Sequence, residues 1–361
     1  MVQRIAPDDP RLTYEGSISL LKTPQWVAPW RIPYQEAPLF FPNGYGKTGI
    51  PSGVGRAAMP SGVRIVLKSD TTLLAGTFEA DPPPSTLREP AEIPRLDLSI
   101  NGILWETIEQ GDTGSFQFLN LPAGEKTLAL WLPHYNQFRL CSLQISDGAT
   151  LEPVHDTRPR WLIFGDSTTQ GRGAASPSQI WPALFARSCG FHLVSLAMGD
   201  GCHLQVMFAR LMRDLDADLL TICVGGNIYE RGSLNAYSFR SALIGFIQIV
   251  REKHPETPFV VISPIYTPSL EQRPGPGGLS FQGIREEIQT ALAILREAGD
   301  RHVYYLDGRT LFGPEHVHLF LPEKGDLLHP GAEGYRACAL NFEEWYCTHI
   351  APFYAFPSRK V

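Results

Sequence analysis

Trp161-Leu162-Ile163-Phe164-Gly165-Asp166-Ser167 runs from a wholly apolar stretch straight into glycine, aspartate and serine. A short, unbroken apolar run bounded by turn residues reads as a strand buried on both faces, the kind that parallel sheets use. A serine directly after it stands at the carboxyl end of the strand, the edge at which open α/β sheets bind their ligands.

Working downstream, the same pattern recurs. Strands are predicted at 161–164, 192–197, 219–224, 259–263 and 303–306, with helices between and after them at 179–188, 204–215, 239–253, 281–298 and 332–346. Short apolar strands alternating with amphipathic helices imply a parallel sheet covered on both faces. Upstream the texture changes. Short runs such as Gly62–Leu67, Leu73–Phe78, Arg95–Ile100, Ser115–Leu119 and Lys126–Leu132 are broken by Pro, Gly and the turn dipeptides Asn101-Gly102 and Asp147-Gly148. That spacing predicts an antiparallel, jelly-roll-like β-sandwich. The reading is therefore a β-sandwich domain over 1–155, an α/β domain over 158–350 and a tail over 351–361, with the boundary near Val154–Pro159.

The bulk numbers narrow the function. The 361 residues are 43% hydrophobic and 19% charged, a globular balance, and the net charge of -6 argues against nucleic acid or an anionic membrane as partner. The longest apolar stretch, Ala242–Val250, is too short to span a bilayer. No apolar segment follows Met1, and the six cysteines show no CxxC pair, so a cytoplasmic protein with free thiols is expected.

Four turns carry side chains suited to acyl transfer. Ser167 offers a hydroxyl, and its own N–H faces the same edge. Gly199 and Gly201, flanking Asp200, allow a backbone N–H to approach a developing oxyanion. Asn227, after Gly225-Gly226, offers an amide donor. Asp326 and His329, three residues apart before Pro330, provide an acid and a base from one loop, and Pro330 as a first helical residue puts His329 at a helix mouth. Each has a bland alternative when taken alone: Ser167, Thr168 and Thr169 also suit a turn cap, and Gly199–Gly201 an ordinary strand-to-helix turn. His316 and His318 lack a convincing third ligand for a metal, and His254, His302 and His349 read as solvated. The loop 265–279 and the segment 308–325 read as pocket walls, and Trp26, Trp30, Tyr34, Phe40, Phe41 and Tyr45 as core, seam or a sugar-stacking platform.

Together and in order, the four blocks resemble the SGNH hydrolases, also called GDSL esterases and lipases. The resemblance covers about residues 158–350 and implies a three-layer α/β/α sandwich with a five-stranded parallel sheet. It implies Ser167 as nucleophile, His329 as base and Asp326 as its orienting acid, with oxyanion donors from Ser167, Gly199 or Asp200, and Asn227, and neither metal nor organic cofactor. Two positions depart from the family pattern: Asp200 stands where a glycine is usual, and Ile228 where an aspartate follows the asparagine. With the β-sandwich in front, the chain resembles carbohydrate esterases and an acyltransferase of a tetracycline-type pathway. The expected activity is serine-dependent hydrolysis of short acyl esters of a small molecule or carbohydrate, or acyl transfer to an alcohol; an inactive binding module is the remaining alternative.

Overall fold

The computed structural model describes residues 1–40, 52–81, 93–109, 113–321 and 327–359. The chain divides into two compact units, Met1–Thr157 with Ser176–Ser178, and Arg158–Ala175 with Gln179–Lys360.

In the first unit, short alternating runs make β1 (Val2–Ile5), β2 (Thr13–Glu15), β3 (Ser19–Lys22) and β4 (Val27–Trp30), followed by the short helices α1 (Ala37–Phe40) and α2 (Ser52–Ala57). Then come β5 (Arg64–Ser69), β6 (Leu74–Asp81), β7 (Arg95–Ile100), β8 (Ile103–Glu109), β9 (Thr113–Phe118), β10 (Lys126–Trp131) and β11 (Gln137–Ser146). One antiparallel sheet runs β3-β4-β11-β6-β9, with β1 also paired to β11; the other runs β2-β5-β10-β7-β8. Along β6 every second residue is buried, the mark of a strand with one face on a core. Phe78 and Phe138 of one sheet stack at 5.4 Å and share that core with Leu67, Leu98 and Leu128 of the other. The predicted sandwich is what this unit forms. Asn101 and Gly102, both at positive φ (50° and 84°), close the β7–β8 hairpin as the dipeptide suggested. The longest strand, β11, was not anticipated, because a register shift between Leu140 and Ser142 breaks its alternation.

The second unit is built on β12 (Arg160–Phe164), β13 (His192–Ser195), β14 (Leu219–Cys223), β15 (Phe259–Ile262) and β16 (Val303–Leu306). All pair in parallel, in the order β13-β12-β14-β15-β16. Its helices are α3 (Ser167–Gln170), α4 (Trp181–Ser188), α5 (Val206–Asp214), α6 (Gly226–Arg231), α7 (Phe239–Arg251), α8 (Phe281–Glu297), α9 (Gly308–Leu311) and α10 (Ala332–His349). Side chains three apart on a strand point to opposite faces, and β12 uses both. Trp161 packs against Phe185 of α4 at 4.7 Å and Phe342 of α10 at 5.5 Å. Phe164 packs against Phe208 of α5 at 4.3 Å and Phe246 of α7 at 6.1 Å on the other side. Helix, sheet and helix thus make the three layers expected. Among the described residues, no helix is long and apolar enough to cross a membrane.

Candidate active site

The order of the sheet puts three of the four turns side by side. β12 lies between β13 and β14, so Ser167, the Gly199–Gly201 turn and Asn227 leave neighbouring strands about 4.8 Å apart.

Ser167 is the first residue of α3, not part of an open turn. Asp166 caps that helix: its Oδ1 accepts the Thr168 N–H at 3.0 Å and the Thr169 N–H at 3.3 Å. The Ser167 N–H, in the first turn, has no partner inside the helix. Burial pushes the Asp166 carboxyl above the usual carboxylate range, opposed by those N–H bonds and by the nearby His329. Beneath the cap is a cavity of about 40 Å³ lined in part by Asp166, Thr169, Cys223, Ser263 and Cys338. That is room for roughly one or two waters rather than an acyl chain.

Ser167 Oγ lies 2.8 Å from His329 Nε2. The aromatic packing of α10 on the Trp161 face explains the meeting, since His329 lies just before α10 and Ser167 just after β12. Tyr335 reinforces it by donating its hydroxyl to the Arg172 carbonyl at 2.7 Å. His329 is not at a helix mouth as predicted. Pro330 pairs in a bridge with Phe320, the His329 carbonyl accepts the Leu321 N–H at 2.9 Å, and α10 begins at Ala332. The flanking bonds, Leu321 N–H to the His329 carbonyl and Gly331 N–H to the Leu319 carbonyl at 2.7 Å, hold Pro330 extended opposite Phe320, which overrides proline's taste for the first helical turn. Asp326 lies outside the described residues.

In the turn after β13, backbone N–H groups are committed one by one. Ala197 donates to Ser195 Oγ (3.4 Å), Met198 to the Gly165 carbonyl (2.8 Å) and Gly199 to Gln170 Oε1 (2.7 Å). Gly201 donates to the Met198 carbonyl (3.0 Å), Cys202 to Asn227 Oδ1 (3.0 Å) and His203 to Gln205 Oε1 (3.0 Å). Between Ala197 and His203, Asp200 alone has an N–H without an acceptor among the described residues. Gly199, an equal candidate on sequence, has its N–H spent internally. Asp200 has a φ of 54°, and its carboxylate turns to the Arg231 guanidinium, with Nε to Oδ1 at 2.8 Å and a second, shorter bond from Nη2 to Oδ2.

Asn227 is buried in α6. Its Oδ1 accepts the Cys202 N–H, which fixes the amide so that its NH₂ faces the other way, available as a donor. Gly225 starts α6 at a φ of 129°, and a Cβ there would come within 2.7 Å of Ile284 and Pro264.

The other candidates separate. His316 Nδ1 accepts the Gly313 N–H at 3.0 Å within its own turn. His254, read as solvated, is buried and bonds the Arg213 carbonyl at 3.1 Å, because the end of α7 folds it back on α5. Phe40 is buried, Trp26, Trp30 and Tyr34 are half-buried, and Phe41 and Tyr45 lie outside the described residues. In the wall 265–279, Arg285 bonds Glu271 through both Nη1 (2.7 Å) and Nη2 (3.0 Å), holding the loop to α8. The reading of the residues missed Gln170, Arg231 and the capping role of Asp166, although Gln170 and Arg231 follow Ser167 and Asn227 at helical spacings of three and four.

A serine and histidine in hydrogen bond at the carboxyl edge of a five-stranded parallel sheet, beside an oriented asparagine amide, belong to the enzymes that act on esters through acyl transfer. Residues 163–337 match the GDSL-like lipase/acylhydrolase family, and residues 12–141 match the SsfX3 N-terminal domain. The chain is 39% identical to the salicylyl-acyltransferase SsfX3 from a tetracycline biosynthetic pathway, covering 98% of this chain and 99% of that one, with a TM-score of 0.89. It belongs to the GDSL-like lipase/acylhydrolase family and is an ester hydrolase or acyltransferase. Two more distant structures share the fold: a chain from Bacteroides ovatus described as a GDSL-like lipase, and a family two carbohydrate esterase from Clostridium thermocellum. The first is 17% identical with a TM-score of 0.78, each chain covered in full. The second is 14% identical with a TM-score of 0.62, covering 93% of this chain and 98% of the other. No curated protein sequence matches.

Proposed function

We propose that Ser167 is the nucleophile of an acyl-enzyme cycle, with His329 as general base and Asp326 as the acid that holds its tautomer. The observation that carries this reading is the 2.8 Å contact between Ser167 Oγ and His329 Nε2. The Ser167 proton passes to Nε2 as Oγ attacks the ester carbonyl, and Nε2 then hands it to the departing alkoxide. The oxyanion takes hydrogen bonds from the Ser167 N–H, the Asp200 N–H and the Asn227 amide. In the second half of the cycle a water gives its proton to Nε2 as its oxygen attacks the acyl carbon, and Nε2 returns that proton to Ser167 Oγ as the Oγ–acyl bond breaks and the free acid leaves.

The substrate in this reading is a small acyl ester of a natural product or carbohydrate. Release to an alcohol instead of water is the second reading. It is favoured by the 39% identity to a salicylyl-acyltransferase, against 17% or less to the esterase-like neighbours quoted above. The chemistry up to the acyl-enzyme is the same in both.

Two measurements test these readings. A fluorophosphonate probe should label Ser167, and p-nitrophenyl acetate hydrolysis should vanish in a folded Ser167→Ala variant; equal rates with and without the hydroxyl would remove Ser167 from the role. For the second half-reaction, an aryl salicylate donor is supplied with a series of alcohols. New ester forming faster than free acid supports transfer, and free acid alone supports hydrolysis.

A further inference from the structure

We propose that Arg231 is a positioning residue that makes Asp200 usable as an oxyanion donor. This rests on the reading of the Asp200 N–H given above.

Asp200 brings two liabilities to its place. At a φ of 54° it is in the left-handed region, where a side chain is disfavoured and glycine is at ease. Its carboxylate also adds a negative charge one residue's breadth from a site where negative charge must develop, and like charges in a partly desolvated setting repel strongly. The Asp200 side chain is only 14% exposed, so water does little to screen it.

Arg231 answers the second. Its guanidinium binds the carboxylate through Nε and Nη2 together, the planar two-point geometry that lysine cannot reproduce. That grip turns the carboxylate away from the backbone N–H and supplies the counter-charge. His203 adds to the hold on the same backbone, its Nε2 lying 3.3 Å from the Asp200 carbonyl while Nδ1 bonds Ser233 Oγ at 2.7 Å.

The placement of Arg231 is equally telling. It is the last residue of α6, and Asn227 is the second. One six-residue helix therefore carries the amide donor near its start and the clamp on the backbone donor at its end. The bond from the Cys202 N–H to Asn227 Oδ1 makes a second tie between the same two pieces. The two donors that come from different strands are locked to each other by two independent contacts.

A merely structural pair, half-exposed at Arg231 and mostly buried at Asp200, predicts lost stability with nearly wild-type turnover when it is removed. The positioning role predicts a different outcome. In the full-length protein, Arg231→Met should lower kcat about 10- to 100-fold, the scale of one oxyanion contact weakened, with KM within about twofold. Arg231→Gln, made alongside in case the methionine variant folds poorly, should behave the same way. The decisive step is Asp200→Asn in the Arg231→Met background. Asparagine tolerates the left-handed conformation and carries no charge, so kcat should rise about tenfold over the single variant, most of the loss being the stranded carboxylate. An Arg231→Met enzyme at wild-type kcat, or a double variant no faster than the single, overturns the proposal. Either result with Ser167→Ala still inactive leaves the acyl-enzyme reading standing, whereas an active Ser167→Ala removes the parent reading itself.

Discussion

The Gln170 side-chain oxygen accepts the Gly199 N–H at 2.7 Å, in surroundings closed to water. The bond ties the turn after β13 to the helix that begins at Ser167, three residues before Gln170. It also spends the Gly199 N–H, whereas that of Asp200, next in the chain, has no acceptor among the described residues. Gln170→Leu should strand a buried N–H and loosen the turn, at a cost of about 1–3 kcal/mol in folding stability. Turnover should fall with it, because the Asp200 N–H then lacks its anchor. Urea unfolding and kcat on p-nitrophenyl acetate check this together; an unchanged kcat in a destabilised protein would confine Gln170 to the fold.

Asn227→Asp is sharper than removal of the whole side chain. Aspartate can still accept the Cys202 N–H, so the tie to the turn survives, while the NH₂ donor is lost and a negative charge is added. A fall of about 10²–10³ in kcat, with KM little changed, is expected from a donor that acts in the transition state. Steady-state kinetics at saturating ester decides it, and a loss confined to KM would assign Asn227 to ground-state binding instead.

Ser167 and His329 should behave as one unit. Each alanine variant alone should lose about 10⁴-fold or more in kcat, and the double variant should be no worse than either. Single-turnover acylation rates measure this. Losses that multiply would mean that the two side chains act independently despite their 2.8 Å contact.

Asp166 gives a pH signature. Burial raises its carboxyl pKa in the folded chain. Between the ordinary and the raised value the folded state holds a proton that the unfolded state has released, so this group makes stability fall as pH rises through that interval. Asp166→Asn keeps an oxygen to accept the Thr168 and Thr169 N–H groups but cannot ionise. Relative to wild type, its melting temperature should therefore gain as pH is raised from about 4 towards 7. Melts across that range test it; a gap between the two proteins that ignores pH would mean the carboxyl is not burdened by burial.

Gly225→Ala should be costly. A side chain at a φ of 129° costs about 1–3 kcal/mol by itself, and here the new methyl also runs into Ile284 and Pro264. Circular dichroism melts should show a lower midpoint, and the start of α6 should shift enough to weaken the Asn227 donor. A variant as stable and as fast as wild type would contradict the close approach.

Most of the second unit's architecture was legible because its strands are short, apolar and regularly spaced. Trp161–Phe164 and Val303–Leu306 read as strands and are strands to within a residue; the first is buried on both faces and has no polar position to blur the pattern, while the second, an edge strand, keeps it with two half-buried tyrosines between a buried Val303 and Leu306. The same reasoning failed at β11, where the bulge at Leu140–Ser142 breaks the alternation, and at His254, where a polar side chain is buried against a carbonyl that only the packing of α7 on α5 provides.

By itself the sequence determined that Ser167, a glycine-flanked turn and Asn227 follow successive parallel strands, because burial pattern and turn chemistry are local properties read over a few residues. It determined likewise that an acid and a histidine arrive together at the end of the domain. Only the tertiary structure decided which N–H of the turn stays unspent. That depended on Gln170, 29 residues away in the chain, taking Gly199, and on Asn227, 25 residues away, taking Cys202. The direction of the Asp200 carboxylate was decided in the same way by Arg231, 31 residues on. Hydrogen-bond partners across a sheet edge are chosen by which strands lie next to each other and how the helices between them pack, and no window of neighbouring residues contains that information.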